Sequence, residues 1–301
     1  MTHLIKEQPQ PEVRKGEHGQ DFRAYGVVYN TDDVPDSGVK FRWFLVCDTH
    51  GRTNYLLERI KLFDFDNVIK KNPENLAAIL EDFIQNRDSS LTHNSGSTFS
   101  FVRIYADRVE CEWLGDSPIL IMNSEEILFK YTPHTVLYEN EKSRIDSIDE
   151  FFYRTTSNRR YKKSMNIKVE STQIIRMVDS YYHLIPLDLT ARYDSTSMSR
   201  FLGHGKAHPL MKETQKETWF YKPTDKFCVV IGSDGVFDML CEDEYNIIYH
   251  TPAEEILDIV QKRWRQKWTQ EWTEPDGTEH SVVTNMQGPG DDLALIVWRK
   301  D

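Results

Sequence analysis

A run of apolar residues, Phe41-Arg42-Trp43-Phe44-Leu45-Val46-Cys47, leads straight into Asp48-Thr49-His50-Gly51. The run has strand composition and is too short for an independent helix. Asp, His and Gly are poor strand residues. The strand is therefore expected to stop at Asp48 and to present a carboxylate, an imidazole and a glycine turn at one edge of a sheet. Taken alone, the stretch reads as a strand closed by an ordinary polar turn. Its meaning depends on what other strands bring to the same place.

The same pattern recurs along the chain. Gln20-Asp21 precedes a strand-like run over 22–29, and the loop 30–38 turns the chain back. Consecutive strands joined by a short loop are antiparallel neighbours as a rule, so Asp21 and Asp48 are expected to meet. Leu56, Leu57, Ile60 and Phe63, then Leu76, Ile79, Leu80 and Phe83 after Pro73, predict helix over 52–86. Ser95-Gly96-Ser97-Thr98 opens a hairpin over 99–105 and 108–114, which Gly115-Asp116-Ser117 closes. A second hairpin is expected over 119–123 and 127–131. The buried run 226–232 delivers Ser233-Asp234-Gly235, with Asp238 one turn further on. Helices are expected over 242–249 and from 252 to about 272, the second carrying Trp264, Trp268 and Trp272 on one face. A polar loop over 273–290 leads to Asp291-Asp292 and a last strand over 293–298.

Residues 135–200 are rich in charge and Ser/Thr, with a basic cluster at Arg154, Arg159, Arg160, Lys162 and Lys163. They read as a flap inserted in one domain over 1–301, and the basic cluster as a solvated surface. A net charge of −11 argues against nucleic-acid binding, which needs a basic face. The longest apolar runs, such as Cys228-Val229-Val230-Ile231, fall far short of a bilayer span. The N-terminal stretch lacks a secretory signal. Cys47, Cys111, Cys228 and Cys241 include no C-x-x-C pair, and the first three lie in apolar runs as buried thiols. A reducing, cytoplasmic setting is the simplest expectation.

Asp21, Asp48, Asp234 and Asp291 flank strands, and Asp116 follows a fifth. Strands of alternating direction would bring these carboxylates to one end of the sheets. Unpaired carboxylates repel one another, and desolvation raises their pKa values. Bound divalent cations remove that cost. Oxygen-only ligands point to Mg²⁺ or Mn²⁺ rather than zinc. Two such ions can orient a water and neutralise a phosphoryl group during in-line attack.

The ordered motifs resemble the metal-dependent type 2C protein phosphatase family over nearly the whole chain. They are Gln20-Asp21, Asp48-Thr49-His50-Gly51, Ser95-Gly96-Ser97-Thr98, Gly115-Asp116-Ser117, Ser199-Arg200-Phe201-Leu202-Gly203, Ser233-Asp234-Gly235 with Asp238, and Asp291-Asp292. Thr132-Pro133-His134-Thr135 and Ser143-Arg144-Ile145 add to the likeness. The resemblance implies an α+β fold, a four-layer αββα sandwich with two central antiparallel sheets flanked by helix pairs and a flap. It implies that Asp48 bridges two Mg²⁺ or Mn²⁺ ions and that the Thr49 carbonyl is a ligand. Asp234 and Asp291 would bind one metal, and Asp21 and Gln20 would hold metal-bound waters. Asp116, Asp234 and Asp238 would hold a weaker third ion. His50 would protonate the leaving alkoxide, and a metal-bound hydroxide would be the nucleophile. The expected partner is a phosphorylated protein, with no nucleic acid and no membrane, and the chain is expected to be a monomer.

Some positions depart from the family pattern. Thr49 stands where Gly is usual, Pro118 where Arg follows Gly-Asp-Ser, and His204 where Asp follows Gly. Asp292 replaces a frequent Asn. Arg14 is the candidate for the family's phosphate-binding arginine, with Lys15 and Arg23 as alternatives. Two further readings stand beside the phosphatase: a phosphatase-like regulatory binding module with little or no catalysis, and a different two-metal hydrolase such as a nuclease.

Overall fold

The computed structural model describes residues 19–30, 38–51, 54–86, 95–135, 138–147, 153–157, 162–169, 172–179, 182–186, 198–205, 209–240, 244–273, 277–285 and 291–300. Two antiparallel sheets form its centre. The larger holds β1 (Asp21–Tyr29), β2 (Val39–Gly51), β3 (Ser95–Ser97), β4 (Phe99–Ile104), β5 (Arg108–Leu114), β12 (Leu202–Gly203) and β13 (Gln215–Phe220). Its order is β12-β3-β2-β4-β5-β13, with β1 also paired to β2. The smaller runs β17-β14-β6-β7, from Leu295–Lys300, Phe227–Gly232, Ile119–Met122 and Ile127–Lys130.

Side chains on a strand alternate between faces, and that period sorts the core into three clusters. Phe44, Val46, Val102, Cys111 and Trp113 face Ile119, Ile121, Val229, Ile231 and Ile296 between the sheets. On the outer face of the larger sheet, Phe41, Trp43, Leu45, Phe99 and Phe101 meet three helices: α1 (Tyr55–Lys61), α2 (Phe65–Lys70) and α3 (Leu76–Gln85). On the outer face of the smaller sheet, Leu120, Met122, Cys228, Val230 and Leu295 meet α5 (Asp234–Phe237), α6 (Asn246–His250) and α7 (Ala253–Trp264). Each fully buried Leu, Ile or Phe contributes about 1.5–3 kcal/mol of transfer free energy. Cys47, Cys111 and Cys228 are free and buried, as their apolar settings predict.

Four expectations need correction. The strand does not stop at Asp48, because β2 continues to Gly51 and its last residues pair with β3. The 52–86 region is three short helices. Asp64 and Asn75 break it by capping: their side chains accept from the N–H groups of Asn67 at 3.2 Å and Ala78 at 2.9 Å. The expected helix over 252–272 ends at Trp264, and Lys267–Thr273 is strand β15. A spacing of four satisfies the helical period and the strand period alike, so the tryptophan series could not separate the two. β15 lies between β9 (Lys162–Val169) and β16 (Glu279–Asn285), where a loop was expected, and β9 also pairs with β10 (Thr172–Asp179). β8 (Tyr153–Ser157) and β11 (Tyr182–Pro186) form a separate pair.

Between β7 and this region lies α4 (Glu139–Asp146), anchored by one buried carboxylate. Glu141 pairs with Arg200 at 2.5 Å and Arg144 at 2.6 Å, and accepts from the Ser199 hydroxyl at 2.5 Å. Burial alone would raise its pKa, but hydrogen bonds from Arg200, Arg144 and Ser199 outweigh it and hold it at about 2. The Ser-Arg of the 199–203 motif is thus a structural latch. Because the folded value lies below the ordinary 4.5, the stabilisation is present above that pH and disappears as pH falls toward 2. Glu141→Gln should lower unfolding free energy by about 3 kcal/mol in urea titrations at pH 7, because two half-buried guanidinium groups lose their buried counter-charge. The deficit should shrink as pH falls from 4.5, and a constant deficit would refute the charge origin.

Candidate metal centre

Strands β1 and β2 pair in the register that puts Asp21 opposite Asp48, as the loop length between them predicted. Asp48 is fixed through its backbone. Its N–H donates to the Thr98 hydroxyl at 2.9 Å, and its carbonyl accepts from the Thr98 N–H at 2.9 Å. The Thr98 hydroxyl also meets that of Ser117 at 2.6 Å. The Ser-Gly-Ser-Thr and Gly-Asp-Ser motifs therefore brace Asp48 and one another. Tyr131 donates its hydroxyl to the Asp116 carbonyl. His134 is 1% exposed; its Nδ1 accepts from the Gly115 N–H at 3.2 Å, and its ring stacks on Trp113. Burial pushes His134 down to about 4, which keeps Nδ1 a free acceptor for that turn.

The smaller sheet supplies the other acids. β14 is buried throughout and ends at Gly232; Ser233 is the cap position, so Asp234 opens α5. Asp238 follows one turn later, its N–H on the Asp234 carbonyl at 2.7 Å. Asp291 lies over Gly235, where an added Cβ would stand 3.0 Å from that of Asp291. Glycine is required there because the chain before β17 passes directly across the start of α5. Asp291 and Asp292 have different jobs. The buried Asp292 carboxylate accepts from the N–H groups of Gln20 at 2.6 Å and Gly19 at 3.1 Å. It clamps the start of β1 to the smaller sheet, a task an asparagine oxygen would do less strongly.

The acids feel one another electrostatically. Burial raises Asp21 to about 7, with Asp292 and Asp234 adding to the rise. Asp48 is raised well above the carboxylate range by burial, then by Asp234, Asp21 and Asp116. Among the described residues, neither buried Asp21 carboxylate oxygen has a hydrogen bond of good geometry, although the nearby Ser233 and Asp48 side chains hold its pKa below what burial alone would give. A carboxylate so placed among other carboxylates is what a hard cation would satisfy, so the donor chemistry fits Mg²⁺ or Mn²⁺. Among the described residues, no group of three or more His, Cys, Asp or Glu side chains is already arranged around one metal position. The acids are gathered rather than closed on a point.

Thr49, where Gly is usual in the family, has a buried side chain with a partner of its own. Its hydroxyl donates to the Gln20 carbonyl across the β1–β2 pair, which ties down the residue before Asp21. His50 Nε2 lies 2.8 Å from His204 Nε2, with ring centroids 5.0 Å apart. Burial, with Lys212 nearby, pushes His50 down to about 4. Lys212 bonds the Gly203 carbonyl and pairs with Glu81 at 2.9 Å.

Arg14 lies outside the described residues. Arg23 is in β1, and among the described residues its buried Nη1 has no hydrogen-bond partner. Burial lowers its pKa, and its acidic neighbour is Tyr25 rather than an aspartate of the cluster. Sequence reasoning missed the bracing by Tyr131 and His134 and the role of Lys212. Each is a lone residue whose partner lies far along the chain, and local pattern carries no such signal.

Two antiparallel sheets with helices on their outer faces bring Asp21, Asp48 and Asp234 within electrostatic reach of one another. Residues 44–254 match the family described as Protein phosphatase 2C, and the chain belongs to that family. Among curated proteins, no sequence matches the chain. The serine-threonine phosphatase 2C of Toxoplasma gondii is similar in structure, at 12% identity and TM-score 0.58, over 91% of this chain and 93% of that one. A C. elegans sex-determining protein aligns at 16% identity and TM-score 0.54, over 95% of this chain. The present chain spans 62% of that protein's length.

Because the folded Asp21 value lies above its ordinary 3.8, folding disfavours the ionised form, and stability falls as pH rises from about 4 to 7. In chelator, Asp21→Asn should stabilise the protein at pH 8 by about 2–4 kcal/mol and leave pH 4 unchanged. Mg²⁺ should raise the wild-type melting temperature more at pH 8 than at pH 5. Equal shifts at both pH values would remove Asp21 from the cation site.

Proposed function

We propose that this chain hydrolyses phosphoserine and phosphothreonine esters in proteins with the help of two Mg²⁺ or Mn²⁺ ions. The observation that supports the reading is the electrostatic proximity of Asp21, Asp48 and Asp234: burial raises Asp21 and Asp48, and Asp234 adds to the rise of both. Asp48 would bridge the two ions, the Thr49 carbonyl would add a ligand, and Asp234 and Asp291 would complete one site. Gln20 and Asp21 would hold waters of the ions, and Asp116 with Asp238 a weaker third ion. When bound, the ions supply an activated water and neutralise the phosphoryl oxygens.

The chain's own groups do the rest. Asp292 and Thr49 fix the strand that carries Gln20 and Asp21. His50 is neutral near pH 7, so it would serve the leaving oxygen as a neutral hydrogen-bond donor at a position where charge develops. Arg14 remains the candidate for holding the phosphate. The segment 135–200 would act as a flap that selects substrates, latched at its base by Glu141.

The test is turnover of a phosphothreonine peptide and an aryl phosphate with Mn²⁺ or Mg²⁺. Asp234→Asn should lose at least about a hundredfold, since it removes an ion ligand. His50→Ala should lose about 10²–10³ on the peptide and far less on the aryl ester, whose leaving group needs no donor. Equal losses on both would refute the donor role. Wild-type protein inert with every divalent ion, yet binding a phosphoprotein, would favour the regulatory module.

A further inference from the structure

His50 lies in β2 and His204 directly follows β12, two strands that do not pair with each other. β3 lies between them: His50 sits opposite Gly96 on one side, and Gly203 sits opposite Gly96 on the other. On three adjacent strands, a side chain of the middle strand ordinarily separates those of its neighbours. Here the middle residue has none. A Cβ on Gly96 would stand 2.5 Å from His50 Nε2 and closer still to the His204 ring. The two imidazoles fill the space of the missing side chain, which is why their Nε2 atoms reach 2.8 Å.

The His204 backbone is bent to allow this. Its φ is +50°, a region non-glycine residues rarely enter. The turn is held by the His204 N–H on the Ser95 carbonyl at 2.8 Å and by Lys212 on the Gly203 carbonyl. Phe201 packs edge-on against the His204 ring, with centroids 4.7 Å apart. Two Nε2 atoms at hydrogen-bond distance share one hydrogen, so one ring donates and the other accepts.

We infer that His204 is a positioning residue for His50, its bond between the two Nε2 atoms fixing the rotation and tautomer of the His50 ring in the cleft. The bond at one ring nitrogen sets which nitrogen carries the hydrogen. The resemblance expects aspartate at position 204, and an ionised aspartate only accepts. An imidazole can donate or accept, so this chain holds its cleft histidine by a different device. The use made of the fixed ring rests on the phosphatase reading above, whereas the pair itself does not.

Nitrogen-15 NMR of the full chain in chelator and in Mg²⁺ tests the pair directly. Scalar coupling across the hydrogen bond should join the two Nε2 atoms in wild type and vanish in His204→Ala. Gly96→Ala should also abolish it, and His204→Ala decides the matter if that variant does not fold. His204→Gln, which keeps a donor and an acceptor, should restore the wild-type His50 tautomer. With Mn²⁺, His204→Ala should lose about ten- to a hundredfold on the phosphothreonine peptide, little on the aryl phosphate, and recover largely in His204→Gln. Absent coupling in wild type, with His50 shifts unmoved by His204→Ala, overturns the inference. So does a rise in turnover in His204→Ala, which would make the ring a plug. If wild type hydrolyses nothing, the phosphatase reading fails, while the coupling still decides the pair.

Discussion

The mutual repulsion of buried carboxylates is the constraint on which the rest of the structure depends. The β1–β2 register sets Asp21 against Asp48, and the smaller sheet adds Asp234 to both. Burial of such a group is unfavourable while it is charged and alone. The surrounding framework must therefore hold the acids together without their help. It does so through the backbone: Thr98 holds Asp48, Asp292 holds the N–H groups before Asp21, and Thr49 holds the Gln20 carbonyl.

That framework draws on both sheets. The core between them is apolar and close to continuous, from Phe44 and Val46 across to Val229 and Ile296. Such a core transmits position rigidly. The polar braces sit at its edge, where strands end. His134 is kept neutral by burial so that it can accept from the Gly115 N–H, and Tyr131 reaches the next carbonyl. The ion pair of Glu141 with Arg144 and Arg200 fixes the segment just before β12, and so reaches the turn that carries His204. The acid cluster, the imidazole pair and the base of 135–200 are thus one connected arrangement.

Much of this was legible in the residues, and what was lost has physical causes. Strand runs over 22–29, 99–105, 108–114, 119–123 and 127–131 were readable because short apolar runs are set off by turns that need Gly, Asp or Ser. The meeting of Asp21 with Asp48 followed from one short loop. The break of 52–86 into three helices turned on the caps at Asp64 and Asn75, which a hydrophobic period does not report. Lys267–Thr273 was misread because its tryptophans fit two periods, and only pairing with β9 and β16 decides between them. The Asp48 stretch looked like a turn because its residues disfavour strands. A neighbour, β3, supplies the hydrogen bonds that keep it extended.

The sequence by itself determined the order of the motifs, the alternation that builds the two sheets, and the oxygen character of the donor set. Those are local properties, set by residue type and spacing. Only the tertiary structure decided which acid does what. Asp291 and Asp292 are adjacent in the chain, yet one overlies Gly235 and the other clamps β1. Thr49 reads only as a departure from glycine until its hydroxyl is seen on the Gln20 carbonyl. His204 reads as a missing aspartate until the space above Gly96 brings its ring to His50. Each of these outcomes depends on a partner from a distant strand, and strand pairing is fixed by the packing of the whole core.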